Sequence, residues 1–550
     1  MKSVKCLLMG SAAGLMAVSA AQAADLPVKA APVEYVKVCN LYGAGFWYVP
    51  GTDTCMKIGA FLRTSYGVNA NGTTPIGSAG GTGAGRFDRT DTTFFAFQVR
   101  SAASFDTRTQ TDYGTLRSYV NIGFQQSSQA GWPNFAVTPG ATTTAEGPVT
   151  DAAAGNGAYN SRAFIQFAGF TAGRMRSFFD INAMGAYTYG GNRLTADTAP
   201  GGVVGFGYTA QFGGGISVSA SIEDGGYVTG GRGRFTTDIS QFTFGSGALS
   251  AGTSLDNSGH VFFDPVMSVR IDQSWGYAAI SGAFHNDSGG YYNNAINSPN
   301  GLLANTIVQG HPADTYGWAA GTGFLLTDFL GLEGDTFGAQ ANYGVGANGY
   351  VSRATGTWFT RSGNNIAGAN LVDGIFADGT KVFETTAWAV GTEYEHFWTP
   401  RLRTAAIAGF VSVNYSQEQK DLICAGAPGF SLGFAPFTPN TPLIGTKNNS
   451  LGSGIASKTN MPVGFVNGWS PNSHCDPDAS WWQAGTRTAY SPHPDVDMGV
   501  EVLYTGLNTA NRGATVNVSQ ASGAIPPGLY TFANQGVWSA LFRFSRNFIP

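Results

Sequence analysis

Apolar and polar residues alternate along most of this chain with a period of two. Phe95, Phe97, Val99, Ala103 and Phe105 share one parity, while Gln98, Arg100, Ser104 and Asp106 share the other. Ile58, Leu62, Tyr66 and Val68 stand opposite Lys57, Arg63 and Ser65 in the same way, and Leu116, Val120, Ile122 and Phe124 stand opposite Arg117, Tyr119, Asn121 and Gln125. The dyads recur at Ala163-Ile165-Phe167, at Ile216 to Ile222, at Phe337 to Val345, at Val496 to Tyr504 and at Trp538 to Phe548. A period of two describes a strand with one apolar and one wet face. About 16 such strands can be traced, and none of the apolar stretches beyond the N-terminus qualifies as a membrane helix. The longest candidate, Gly201 to Ile222, has no charge but is rich in glycine, contains Gln211 and is cut by Gly213-Gly214-Gly215.

The connections come in two kinds that broadly alternate. Thr107 to Asp112, Phe170 to Gly173, Asp272 to Gly276, Phe397 to Arg401 and Ser491 to Asp495 are short and turn-like. Asn69 to Asp91, Ser127 to Asn160, Glu223 to Gly259, Asn286 to Asp314, Ala347 to Lys381 and Tyr415 to Ala479 are long, glycine-rich and polar. Outer-membrane barrels have this rhythm, with short periplasmic turns and long outer loops. Closure into a barrel also removes the unpaired edges that so many strands would otherwise expose. The predicted fold is therefore all-β: a transmembrane antiparallel β-barrel with long extracellular loops. A β-solenoid is disfavoured by the lack of a fixed repeat, and a soluble sandwich by the loop alternation together with the export signal described next.

Composition narrows the choice further. Charged residues make up 12% of the chain, about half the usual share in soluble domains, whereas 43% is apolar and 78 residues are glycine. A net charge of -4 without any Lys/Arg block leaves nucleic acid without a counterpart to its phosphates. Lys2 and Lys5, the apolar stretch Cys6 to Val18 and Ala21-Gln22-Ala23 fit a secretory signal peptide over residues 1–23. Its removal leaves 28 basic against 34 acidic residues and four cysteines, Cys39, Cys55, Cys424 and Cys475. An even number in an exported chain favours disulfides over a zinc site, because no CxxC or HxxxH spacing accompanies them. Pairing neighbours, Cys39 with Cys55 and Cys424 with Cys475, is one of three possible connectivities. Residues 24–52 then form a periplasmic N-terminal segment and 53–550 the barrel.

Several stretches resemble the alphaproteobacterial general porin family. They are the opening Cys-Asn-Leu-Tyr-Gly-Ala-Gly-Phe-Trp-Tyr-Val-Pro-Gly-Thr-Asp-Thr-Cys from Cys39 to Cys55, Phe164-Ile-Gln-Phe-Ala-Gly-Phe-Thr-Ala-Gly-Arg174, Ser177-Phe-Phe-Asp180, Phe397-Trp-Thr-Pro400 and Arg543-Phe-Ser-Arg-Asn-Phe548. The resemblance implies a 16-stranded, homotrimeric barrel among outer-membrane lipid and lipopolysaccharide. It would be a passive diffusion pore for small hydrophilic solutes and ions, with its third outer loop folded into the lumen. That loop would run from Phe179 or Asp180 to about Pro200, offering Asp180 and Asp197 as acids, Arg193 as a base, and Tyr187 and Tyr189 as bulk. Facing it, the wet parity of the first four strands supplies Arg63, Arg100, Arg117 and Arg162. A cation ladder opposite loop carboxylates would set a transverse field across a pore constriction.

No catalytic constellation accompanies these features, and no cofactor or metal is implied. His260, His285, His311, His396, His474 and His493 lie outside any G-x-S-x-G context and read as solvated loop residues. Glu393 and Glu395 would share a face of one strand without a sugar-cleaving partner motif. Two other functions compete with a general pore. A substrate-specific channel would use an aromatic track, with Trp47, Trp481 and Trp482 as candidates. A structural or adhesin barrel would display its loops, above all Tyr415 to Ala479.

Overall fold

The computed structural model describes residues 37–68, 95–127, 157–181, 187–189, 195–198, 202–225, 233–238, 257–259, 262–292, 310–352, 356–377, 379–425, 476–513, 515–518 and 528–549. Sixteen antiparallel strands form the wall. They are β1 (Thr54–Val68), β2 (Phe95–Thr111), β3 (Gly114–Ser127), β4 (Gly157–Phe167), β5 (Phe170–Met175), β6 (Val203–Gln211), β7 (Ile216–Glu223) and β8 (Asp264–Gln273), followed by β9 (Gly276–Asn286), β10 (Tyr316–Thr327), β11 (Thr336–Val345), β12 (Thr386–Thr399), β13 (Leu402–Asn414), β14 (Ala479–His493), β15 (Val496–Asn508) and β16 (Gln535–Ile549). Each pairs with the next, and β1 pairs with β16 from Ala60 and Ile549 to Val68 and Ala540, which closes the ring. A lipid environment offers the backbone no hydrogen bonds, so a sheet crossing it must close.

The alternation seen in the sequence becomes the two faces of this wall. Phe97, Phe124, Ile165, Phe206, Met267, Ile280, Phe284, Val500 and Phe542 are exposed on the outside. Residues of the opposite parity, such as Gln98, Arg100, Gln125, Gln340, Asn342, Gln483, Glu501 and Arg543, are buried inside. An arginine turned to the lipid would cost about 2–4 kcal/mol at mid-membrane, which ties charge to the lumenal parity.

The turns lie at 112–113, 168–169, 212–215, 274–275, 328–335, 400–401 and 494–495. The expected turn Thr107 to Asp112 is mostly strand, since β2 runs on to Thr111. Phe170 to Gly173 is not a turn but the start of β5; the chain reverses one step earlier, at Ala168 and Gly169, which both take positive φ. Gly201 to Ile222 resolves into β6, the triglycine turn and β7. At the same end of the barrel a disulfide joins Cys39 to Cys55, and Trp47 and Tyr48 pair with Met56 and Cys55 of β1. Cys475 lies outside the described residues, and so therefore does its pairing with Cys424.

The long connection after β11 does more than hang outside. Its Asn348–Tyr350 turn and the stretch Ile366 to Ala377 are buried throughout. Ala367, Ala369, Leu371, Val372, Ile375 and Ala377 share one hydrophobic core with Ala387, Ala389, Val411, Val413, Ala479, Trp481 and Leu507. Those wall residues face inward, because their neighbours Trp388, Val390 and Trp482 face outward. This arm, Asn365–Ala377, therefore packs on the lumenal face of β12 to β15. Neighbouring loops brace it: Asn365 and Ile366 pair with Thr531 and Phe532, and Gly374 to Phe376 pair with Thr236 to Asp238.

Candidate functional site: the lumenal constriction

Between β5 and β6 the chain leaves the wall and crosses the lumen as a strap. Its first leg lies on β9 and β10, where Ser281 Oγ donates to the Phe179 carbonyl at 3.0 Å. The inward positions of β10 are Gly317, Ala319, Gly321 and Gly323. A side chain on Gly321 would meet the Phe179 ring at 3.2 Å, and one on Gly323 would meet Ile181 at 3.1 Å. Bare backbone thus makes the seat. Farther along, the Tyr187 hydroxyl lies 3.0 Å from Thr336 Oγ1 of β11. Tyr189 reaches the far wall: its N–H donates to Glu501 of β15, its hydroxyl donates to Asp497 at 3.2 Å, and its carbonyl accepts from Arg543 at 2.6 Å. On the return, Gln340 donates to the Ala196 carbonyl at 3.3 Å.

Each residue expected at the constriction can now be placed. Arg63 and Arg100 are directly opposite on β1 and β2. Arg63 lies over Phe61, its Nε has no hydrogen-bond partner among the described residues, and Arg100 lies 4.3 Å from the Tyr159 ring centroid. Arg117 sits lower, three residues into β3, where Asp106 accepts from its Nε and Nη2 at 3.0 Å and also from Arg108. It belongs to a charge cluster near the short turns rather than to the level of Arg63. Arg162 lies at the root of the strap, where Nη1 donates to the Ser161 carbonyl at 2.6 Å and the charges of Asp180 and Asp197 act on it.

Asp180 has no exposed side-chain surface. It accepts from the Thr198 N–H at 2.8 Å and from the Thr198 hydroxyl, and it lies 3.5 Å from Arg176, so it ties the two legs of the strap together. Asp197 is likewise buried. Tyr187 and Tyr189 meet the wall as described. Arg193 lies outside the described residues.

The wet parity of the last strands carries residues that the reading of the first four strands omitted. Arg543 stands 4.6 Å from the Tyr189 ring and donates to Ser65, cross-strand from it on β1, so Arg543, Arg63 and Arg100 form one basic wall. The neighbouring strands carry acids: Glu393 and Glu395 on β12, and Asp497 and Glu501 on β15, the last two beside Arg543 of β16. Glu395 accepts from Arg487, and Arg403 reaches Asp497 at 2.5 Å. Glu393 and Glu395 do share the lumenal face; Glu393 is buried with both carboxylate oxygens unpartnered among the described residues.

Two other expectations change. His285 is not a solvated loop residue: it is buried on β9 with Nδ1 2.7 Å from Asp264 and Nε2 3.6 Å from Asp373. The wet parity of a closed barrel faces its neighbours as well as water, so a polar residue there can be fully enclosed. The aromatic track also dissolves, because Trp481 is buried in the core under the arm, Trp482 faces outward and Trp47 pairs with β1 beside the disulfide. His260 and His474 lie outside the described residues. No group of three or more metal-ligating side chains is found among the described residues.

A family profile described as Porin subfamily matches residues 25–524. The porin Omp2a of Brucella ovis is 32% identical over 234 residues, covering 41% of this chain and 60% of that protein. The porin Omp2a of Brucella canis is 28% identical over 354 residues, covering 62% of this chain and 84% of that protein. The chain's match thus spans less than two thirds of the first relative and more than four fifths of the second. Among solved structures, the outer membrane channel DcaP of Acinetobacter baumannii superposes with a TM-score of 0.52 at 12% identity, covering 91% of this chain and 99% of that one, a likeness of fold. With a closed 16-strand barrel, a polar strapped lumen and a profile matched over most of its length, the chain belongs to the porin subfamily of integral outer-membrane proteins.

Proposed function

We propose that this protein is a passive diffusion pore across the outer membrane for small hydrophilic solutes and ions, and that its constriction favours anions. The observation that carries the reading is the lumen itself: a strap crosses it from β5 to β16, with basic residues on β16, β1 and β2 next to acidic ones on β12 and β15. The acids are partly spent on partners. Asp106 is held by Arg108 and Arg117, Asp180 by Thr198 and Arg176, and Glu395 and Asp497 by Arg487 and Arg403. Arg63 and Arg543 form no ion pair among the described residues; Arg543 holds Ser65 and the Tyr189 carbonyl, and the two cations keep a positive field at the level of the strap. Local charge in a low-dielectric wall focuses the field on the permeating ion, and it outweighs a net charge spread over the surface.

In this reading residues 1–23 are removed as a signal peptide, residues 24–52 stay periplasmic and residues 53–550 form the barrel. The apolar outer face carries Trp388, Trp398, Trp482 and Trp538, side chains suited to a lipid boundary and to contact with lipopolysaccharide. The same face would join three copies, as the family resemblance implies. Planar-bilayer recording of the refolded protein tests the proposal. Stepwise openings in groups of three, with solute flux limited by size, are expected; a folded barrel that never conducts contradicts it.

A further inference from the structure

The arm Asn365–Ala377 is continuous with the strap through a set of buried contacts. Phe179 of the strap meets Tyr350 edge to face, with ring centroids 5.0 Å apart, within a core that also holds Ala319 and Ala347. The Tyr350 hydroxyl donates to Asp264 at 2.8 Å, and Asp264 is bonded to His285. Across the joint, Asp373 of the arm accepts from the backbone N–H groups of Phe235 at 2.8 Å and Asn348 at 2.7 Å, and the free edge of His285 faces it. Asp264, His285 and Asp373 are each no more than 2% exposed.

A joint of this kind is held by balance. An imidazolium at His285 would answer one carboxylate of the wall and one of the arm, while Arg234, bonded to Asn286 at 3.2 Å and to the Ser258 carbonyl at 2.9 Å, brings a second cation close. Asp287 lies close to the same joint. Burial and the neighbouring Asp373 push its carboxyl well above the usual carboxylate range, with Thr236 bonded to it. Burying a carboxylate without a charged partner costs several kcal/mol, so removing the imidazole would leave Asp264 held by the Tyr350 hydroxyl and Asp373 by two backbone N–H groups, with no cation between them.

We propose that the arm Asn365–Ala377 is a second, size-limiting constriction at the outer mouth, in series with the strap and pinned to the wall by the Asp264–His285–Asp373 joint. It occupies the lumenal side of β12 to β15, where the acids of β12 and β15 stand, so the path left open runs beside the basic wall. The apolar core beneath the arm and the charged joint at its end divide the work: the core gives affinity for the wall, and the joint fixes the position. This inference rests on the protein being a pore.

Single-channel conductance and liposome swelling with sugars of increasing size, measured on wild type, H285Q and H285Q/D373N, test it. H285Q should release the arm, raise conductance by roughly twofold as the opening widens, and admit larger sugars. H285Q/D373N should widen the opening at least as far, because an amide in place of Asp373 can accept from only one of the Phe235 and Asn348 N–H groups; a double variant with wild-type conductance and cut-off would overturn the joint as the pin. Should H285Q fail to refold, Y350F, which removes only the hydroxyl bond to Asp264, should shift conductance and sugar cut-off in the same direction by less. Wild-type conductance and cut-off in refolded H285Q, or in Y350F where H285Q does not refold, would overturn the second constriction while leaving the pore intact. Silence of wild type and all variants would overturn the pore reading itself, and a silent wild type beside a conducting H285Q would turn the arm from a sieve into a closed gate.

Discussion

The strap between β5 and β6 and the arm Asn365–Ala377 both leave the wall for the lumen, and they settle on different ground. Under the strap the wall has been stripped to Gly321 and Gly323, and hydrogen bonds from Ser281, Gln340 and Arg543, with that to Glu501, hold the backbone in place. Under the arm the wall carries Val411, Val413, Trp481 and Leu507, and packing holds it. The strap is apolar where Phe179 and Ala196 pack on Val266, Ala283 and Ala319, and polar toward β11, β15 and β16, which keeps charge where an ion must pass. An apolar seat excludes water and serves to fill space. The difference explains how one barrel can hold a wet constriction and a dry one without either disturbing the alternation of the strands.

Substitutions should separate the two seats. The largest effect belongs to Trp481→Ala, which would open a cavity under the arm at a cost of about 3–5 kcal/mol. Proteolysis of the folded protein within the arm should rise sharply while the barrel keeps its heat-modifiable migration on gels; an arm that stays protected would show that its core is not what seats it. Next is Gly321→Val, for which overpacking against Phe179 should cost about 1–3 kcal/mol. The strap should be displaced and channel noise should rise, whereas the same valine at Ala389, in the arm's seat, should disturb the arm and leave the strap's conductance level alone. Glu501→Gln keeps an acceptor for the Tyr189 N–H but removes its charge, weakening one strap contact by about 1 kcal/mol. More frequent flicker without a change in the open level is the expected trace.

The smallest effect lies away from both seats. Burial alone would raise the Asp335 carboxyl, but bonds from His396 at 2.7 Å, Tyr394 at 2.7 Å and the Phe397 N–H at 3.0 Å hold it below the usual carboxylate range. A depressed folded value means that its contribution is present above the ordinary carboxylate range and fades as pH falls through the folded value. Asp335→Asn should therefore flatten the acid limb of the stability profile in that window and change neither constriction; an unaltered acid limb would remove Asp335 from the account.

Much of the wall was legible because lipid and water impose opposite demands on alternate residues. Arg63 and Arg100 could be read as lumenal from parity alone, and the closing strand followed from Trp538 to Phe548. The same parity placed Glu501 and Arg543 on the wet face, but which strands meet across the lumen depends on ring closure, and closure brings β16 beside β1 at a separation that no local pattern records. The strap was legible through its resemblance, not its periodicity. The arm was hidden for a physical reason: Ile366-Ala-Gly-Ala-Asn-Leu-Val-Asp-Gly-Ile-Phe-Ala377 is buried on all sides, between the wall and neighbouring loops, so it shows neither a two-residue nor a helical rhythm. His285 was misread for a related reason, since its partners Asp264 and Asp373 come from distant parts of the chain.

The central claim is that the basic wall of Arg63, Arg100 and Arg543 sets what passes the strap. The direct measurement is the reversal potential in a salt gradient across a planar bilayer, for wild type and for R63Q/R543Q verified as folded. The account predicts an anion-favouring potential in wild type that moves severalfold in permeability ratio toward cations when the two charges are removed, with the shift shrinking at high salt as screening grows. An identical reversal potential in the two proteins, or a cation preference in wild type, would contradict it.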